Sequence, residues 1–201
     1  MPRGAPYPWL KPAVLTGGLV PVATIVLRGV RGELGVDPIA QALNQLGLMA
    51  LVFLIAALAC TPLKTLTGIT WPLRIRRMLG VFAFVYATLH VTTYVAVDQR
   101  FDWTAIVDDL TKRRFIYVGA TTFVLLVPLA VTSTNGWVRR LGFPTWKRLH
   151  RLAYLATILA VVHFVWRVKK DLSEPLAYGT VLAALLLVRV ATAARRATTA
   201  A

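Results

Sequence analysis

The stretch from Leu79 to Val97, LGVFAFVYATLHVTTYVAV, runs nineteen residues without a formal charge and contains one histidine, His90. A helix rises about 1.5 Å per residue, so the run spans roughly 28 Å, close to the ~30 Å hydrocarbon thickness of a bilayer. Five more runs share its character: Leu10–Leu27, Leu43–Leu63, Phe115–Thr132, Leu152–Val168 and Leu176–Val190. The reading is an all-α integral membrane protein, a six-helix bundle in one transmembrane domain covering residues 1–201. The first run has the basic residues Arg3 and Lys11 of a signal peptide, but Arg28 and Arg31 follow it without a small-residue cleavage site. It is expected to be a retained span.

Composition agrees. Of 201 residues, 57% are hydrophobic and 15% charged, against about 25% charged in an ordinary soluble domain. A net charge of +15 would suit nucleic acid if it were gathered on a polar face. It is sorted by connection instead. The second connection (Lys64, Arg74, Arg76, Arg77) and the fourth (Arg139, Arg140, Lys147, Arg148, Arg151) are purely basic, as are the N-terminal segment and the tail with Arg189, Arg195 and Arg196. All eight acidic residues fall in the first, third and fifth connections. Unopposed Lys and Arg mark the cytoplasmic side, so both termini are expected inside, in a multi-pass protein contacting lipid and no nucleic acid. The tryptophans, among them Trp9, Trp71, Trp103, Trp146 and Trp166, lie at span ends, where an amphipathic ring is stable. The single cysteine, Cys60, excludes an internal disulfide and a cysteine-held cluster.

Ionisable groups within hydrocarbon mark function, and the sequence places only histidine deep in a span. His90 lies thirteen residues after Arg77, and His163 twelve after Arg151 in a helix running the same way. Both are therefore about 18–20 Å from the cytoplasmic boundary. Two imidazoles at one height on different helices can ligate one haem iron from both faces. No Cys-x-x-Cys-His motif is present, so the haem would be b-type. A histidine hydrogen-bonded across the bundle is the plainer reading.

His150 opens the fifth span, thirteen residues before His163 and about 140° away around an ideal helix. A second haem there requires helix distortion or a non-histidine ligand, since the third span offers only Arg76 and Arg77 at that level. An interfacial histidine is the other reading. Arg74, Arg76, Arg77, Arg148 and Arg151 form a basic rim explained either by topology alone or by docking of an acidic donor and holding of flavin or haem propionate anions. In the third connection, Trp103, Ile106, Val107 and Leu110 have helical spacing with Asp102, Asp108 and Asp109 on the surface, which predicts a short interfacial helix. Pro21 and Pro128 are expected to kink their spans, and Met49 to pack.

Several strings resemble one family. Arg76-Arg77-Met78-Leu79-Gly80, Tyr86-Ala87-Thr88-Leu89-His90 with Tyr94, Trp146-Lys147-Arg148-Leu149-His150-Arg151-Leu152 with Tyr154, and His163-Phe164-Val165-Trp166 are similar to the MsrQ family, as are Gly35-Val36-Asp37-Pro38 and Thr132-Ser133-Thr134. That family belongs to the ferric-reductase-like transmembrane superfamily, which includes NADPH oxidases. The resemblance implies a haem-binding subunit of the bacterial inner membrane, also described with FMN. It implies electrons taken from the quinone pool or a cytosolic flavin reductase and passed to MsrP, a periplasmic molybdopterin enzyme that reduces methionine sulfoxide in proteins. The sulfoxide chemistry then lies on the partner, with His90, His150 and His163 as this chain's candidate haem ligands. Two alternatives stand beside it: a quinol-linked cytochrome b for a different periplasmic reductase, and a haem-free transporter or assembly protein. The last would show polar groups inside spans or internal repeats, and neither was legible.

Overall fold

The computed structural model describes residues 7–199, all of them in helices or the connections between. Arg3 lies outside the described residues, as does the side chain of Arg196. The helices are α1 (Leu10–Val30), α2 (Pro38–Thr67), α3 (Pro72–Thr92), α4 (Trp103–Lys112), α5 (Arg114–Val131), α6 (Asn135–Leu141), α7 (Phe143–Leu149), α8 (Leu152–Arg167) and α9 (Ser173–Thr199). A π-helical turn, Thr93–Asp98, extends α3. Six segments are long and apolar enough to cross a membrane: α1, α2, α3 with its π turn, α5, α7 continued by α8, and α9. The six expected spans are therefore all present, five of them longer than the expected stretch and α5 of equal length.

Why the helices start and stop is visible in their ends. Asp37 caps α2 through Ala40 N–H, with Pro38 as its first residue, and Asp102 caps α4 by accepting from both Thr104 and Ala105. Connections alternate between two ends of the bundle. One end carries α4 and the α1–α2 and α8–α9 connections. The other carries α6 and α7.

Helix α2 is central: half of its apolar window is buried, against 11% for α1 and 6% for α9. Leu19, Val20, Val26, Val124 and Leu187 all point outward. Such apolar exteriors are unstable in water and fit lipid. The two tightest helix pairs are α2 with α3 and α5 with α8. Phe53 of α2 stacks on both Phe82 and Tyr86 of α3, at ring-centre separations of 5.2 and 5.3 Å.

Tyr86 then reaches α1. Its hydroxyl donates to Gly18 C=O at 2.7 Å and accepts from Val22 N–H at 3.0 Å. It thus occupies the place of the direct Val22-to-Gly18 helix bond, beside Pro21. A side chain inserted into the ladder is one of the recognised causes of helix bending. This gives the Pro21 expectation a physical form and attaches the peripheral first span to the core.

The interfacial helix of the third connection is also present as α4, with one change. Asp109 is buried, not surface-exposed: it accepts from Tyr94 Oη at 2.9 Å and pairs with Arg113 at 3.0 Å. Met49 packs into the interior as expected, and Cys60 is buried as well.

Candidate functional site

His90 on α3 and His163 on α8 come together near the α4 end. Their ring centres are 6.3 Å apart and their planes stand at 86°. Each Nδ1 is held by a main-chain carbonyl: His90 by Leu43 of α2 at 2.9 Å, His163 by Phe115 of α5 at 2.6 Å. A carbonyl only accepts, so each Nδ1 carries the hydrogen and each Nε2 keeps its lone pair. A carbonyl on the far nitrogen in this way orients a metal-binding imidazole and fixes its tautomer. A metal bound by two Nε2 atoms at about 2.0 Å each, the usual metal–imidazole bond, keeps the ring centres about 6 Å apart. The observed spacing fits.

Both braces use the same device. One helical turn beyond Leu43 comes Gly47, and one turn beyond Phe115 comes Gly119. A Cβ at Gly47 would lie 3.2 Å from the His90 ring, and one at Gly119 would lie 2.7 Å from His163 Nδ1. Only glycine bares the helix backbone enough for an imidazole to reach its carbonyl.

The likeness extends along the helices. Ala83 and Ala87 precede His90 by seven and three residues, and Ala156 and Ala160 precede His163 by the same intervals. Ala83 and Ala156 are fully buried in one cluster with Leu54 and Leu126, each seven residues past its glycine. The α2–α3 and α5–α8 pairs thus share one spacing of glycine, alanine and histidine, which the sequence reading missed. The signal was there, as A-x-x-x-A-x-x-H twice, but at two occurrences it is invisible without knowing that the helices pair.

The same register sets His150 opposite Arg77, each thirteen residues before its histidine. The structure does not bring His150 to the other two rings. It caps α7, where α7 and α8 are separated at His150 and Arg151, so the fifth span is distorted there. The Thr132 hydroxyl, which donates to Pro128 C=O at 2.6 Å, accepts from His150 Nε2–H at 3.0 Å. Trp146 stacks on His150 at 4.0 Å and donates from Nε1 to Thr132 C=O. Trp146 is therefore a buried packing partner of His150, and its ring is not an interfacial anchor.

His150 lines an open cavity of about 100 Å³ with Arg76, Arg77, Tyr154, Trp146 and Arg189. Of the basic rim, Arg76 and Arg77 face this cavity, while Arg74, Arg148 and Arg151 are exposed and outside its lining. Arg189 is a correction. Counted from sequence as part of the tail, it lies within the continuous helix α9 and contacts both α2 and α8. The sign that could have found it is its place at the end of the last apolar run, one residue before Val190.

Among the described residues no group of three or more His, Cys, Asp or Glu side chains gathers to hold a metal ion. A metal between His90 and His163 would need its other ligands from a macrocycle, with the two Nε2 lone pairs supplying the protein's share. The residues present fit a haem.

A family model described as "Ferric reductase like transmembrane component" matches residues 43–161, from the Leu43 brace to just short of His163. The chain belongs to the ferric-reductase-like transmembrane family, as a multi-pass membrane protein. Within it, the chain is 50% identical to the "Protein-methionine-sulfoxide reductase heme-binding subunit MsrQ" of Rhodospirillum rubrum, over 92% of this chain and 88% of that protein. It is 47% identical to the protein of the same name from Deinococcus radiodurans, over 96% and 95%, and 46% identical to that of Caulobacter vibrioides, over 85% and 81%. These relatives place it in the MsrQ family. No solved structure matches it.

Proposed function

We propose that this chain is the haem b-carrying membrane subunit of a protein-methionine-sulfoxide reductase system, with His90 and His163 as the axial ligands of one haem. The observation that carries the reading is the adjacent pair of imidazoles, ring centres 6.3 Å apart, each with Nδ1 braced by a carbonyl and Nε2 keeping the lone pair a metal needs. Haem bound there supplies one-electron carriage. The chain's own contribution is orientation, through Leu43 and Phe115, and exclusion of water by the apolar cluster around Leu54, Ala83, Leu126 and Ala156.

The basic α6–α7 end faces the cytoplasm in this reading, and both termini lie on the cytoplasmic side of the bacterial inner membrane. The His90–His163 site then lies in the outer half, near a periplasmic MsrP. Electrons enter at the opposite end, from the quinone pool or a cytosolic flavin reductase, by way of the cavity at His150, Arg76 and Arg77. That cavity is where a second haem or the family's FMN would sit. His150 meets such a group through Nδ1, or through Nε2 after leaving Thr132. Methionine sulfoxide reduction takes place on MsrP.

The test is a visible spectrum of the purified chain. A reduced b-type spectrum, abolished by His90→Ala and by His163→Ala and restored to neither by added haem, supports the reading. A haem spectrum indifferent to both substitutions refutes it.

A further inference from the structure

Three guanidinium groups converge on the cavity at the α6–α7 end, and the chain has no side-chain carboxylate there to meet them. Arg76, Arg77 and Arg189 all line it. All eight acidic residues lie in or beside the three connections of the other end, from Glu33 to Glu174. Both ion pairs found among the described residues, Lys112 with Asp108 and Arg113 with Asp109, are at that other end too.

The neutral partners of the three arginines leave their charge uncompensated. Arg76 donates to the Thr61 hydroxyl at 3.2 Å and Arg77 to the Asn135 side-chain carbonyl at 2.6 Å. Arg189 donates to Tyr154 Oη at 2.5 Å and to Leu58 C=O at 2.7 Å, with its charge centre 5.1 Å over the Tyr154 ring. Its Nε is buried with no hydrogen-bond partner among the described residues. A guanidinium offers five N–H donors in a fixed fork suited to carboxylate and phosphate. An uncompensated charge inside a span is costly and marks function. Tyr154 accepts from Arg189, so its own O–H hydrogen remains to donate.

We propose that this cavity is an oxyanion site, in which Arg189, the Tyr154 hydroxyl and Arg76 bind the carboxylate or phosphate of a redox cofactor seated beside His150. The inference rests on the electron-transfer reading above and adds that the cavity's resident is anionic, so an uncharged quinone exchanges electrons with it without occupying it. Haem propionates and a flavin phosphate share the required chemistry, as does an anionic lipid headgroup.

The experiment uses the full chain purified in detergent, with the His90–His163 haem spectrum as the control for folding. Haem per chain is measured as the pyridine complex, flavin by fluorescence after acid extraction, and phospholipid by phosphate analysis. In the unmodified protein an anionic cofactor, a second haem or a flavin, is expected besides the His90–His163 haem. Arg189→Gln removes one charge-assisted contact and should weaken its retention about tenfold or more, with the control spectrum intact. Arg189→Lys keeps the charge but loses the fork, and should restore part of the retention lost in Arg189→Gln, a dependence on charge that a purely structural staple from α9 to α2 would not show. Retention unchanged in Arg189→Gln, with an unshifted midpoint potential, overturns the proposal. So does an unmodified chain that yields only lipid phosphate or only quinone, a result that holds even if the variant fails to fold. Absence of the His90–His163 spectrum from the unmodified chain would instead defeat the electron-transfer reading itself.

Discussion

Gly119 lies so close under His163 that a Cβ on it would come within 2.7 Å of Nδ1, the atom that donates to Phe115 C=O. The ring cannot yield without giving up that bond. Gly119→Ala is therefore expected to swing His163 and weaken metal binding about 10–100-fold, the usual cost of losing the hydrogen bond that aims a ligating histidine. The corresponding contact at Gly47 is 3.2 Å, so Gly47→Ala should cost less. Haem content per chain, read from the reduced spectrum of the two variants, checks the order. Equal retention in both would refute it.

Tyr86→Phe removes the hydroxyl that bridges Gly18 and Val22 while the ring stays against Phe53. The phenyl edge keeps the carbonyl and N–H of α1 apart, and both are left without a partner. Unmet buried polar groups cost about 1–3 kcal/mol, so unfolding in mixed detergent should shift by that amount. A variant as stable as the parent would mean that α1 re-forms its own bond.

Asp108 and Asp109 are adjacent but predicted to differ. Asp108 pairs with Lys112 where both side chains are more than half exposed, an interaction worth about 0–1 kcal/mol. Asp109 joins Tyr94 and Arg113 and is nearly buried, so Asp109→Asn should cost about 1–3 kcal/mol. Because Tyr94 lies in the π turn one helical turn past His90, hydrogen exchange at Thr93–Asp98 should also quicken in Asp109→Asn and not in Asp108→Asn.

The spans were legible because hydrophobic length is a one-dimensional property: Leu79–Val97 needs no partner to be recognised. The equal depth of His90 and His163 was legible for the same reason, since rise per residue converts position into height. Facing was harder. Nothing in LNQLG or FIYVG indicates that a histidine some forty-eight residues away will lean on the first residue's carbonyl, because the brace is made by main chain. Arg189 was misread because charge at the end of an apolar run looks like a tail until the helix is seen to continue to Thr199. Trp146 and Asp109 were misread as surface groups because each sits in amphipathic sequence and is covered only by tertiary packing. Helix α4 itself followed from its spacing.

Since Leu43 and Phe115 serve through their carbonyl oxygens, the identity of either side chain is free to drift, and the two already differ in shape. What the arrangement depends on is the hydrogen four positions on, at Gly47 and above all at Gly119, where a methyl group would press on the ring. A survey of side-chain replacements would thus pass over the atoms that aim the imidazoles and register only the two vacant places that make room for them.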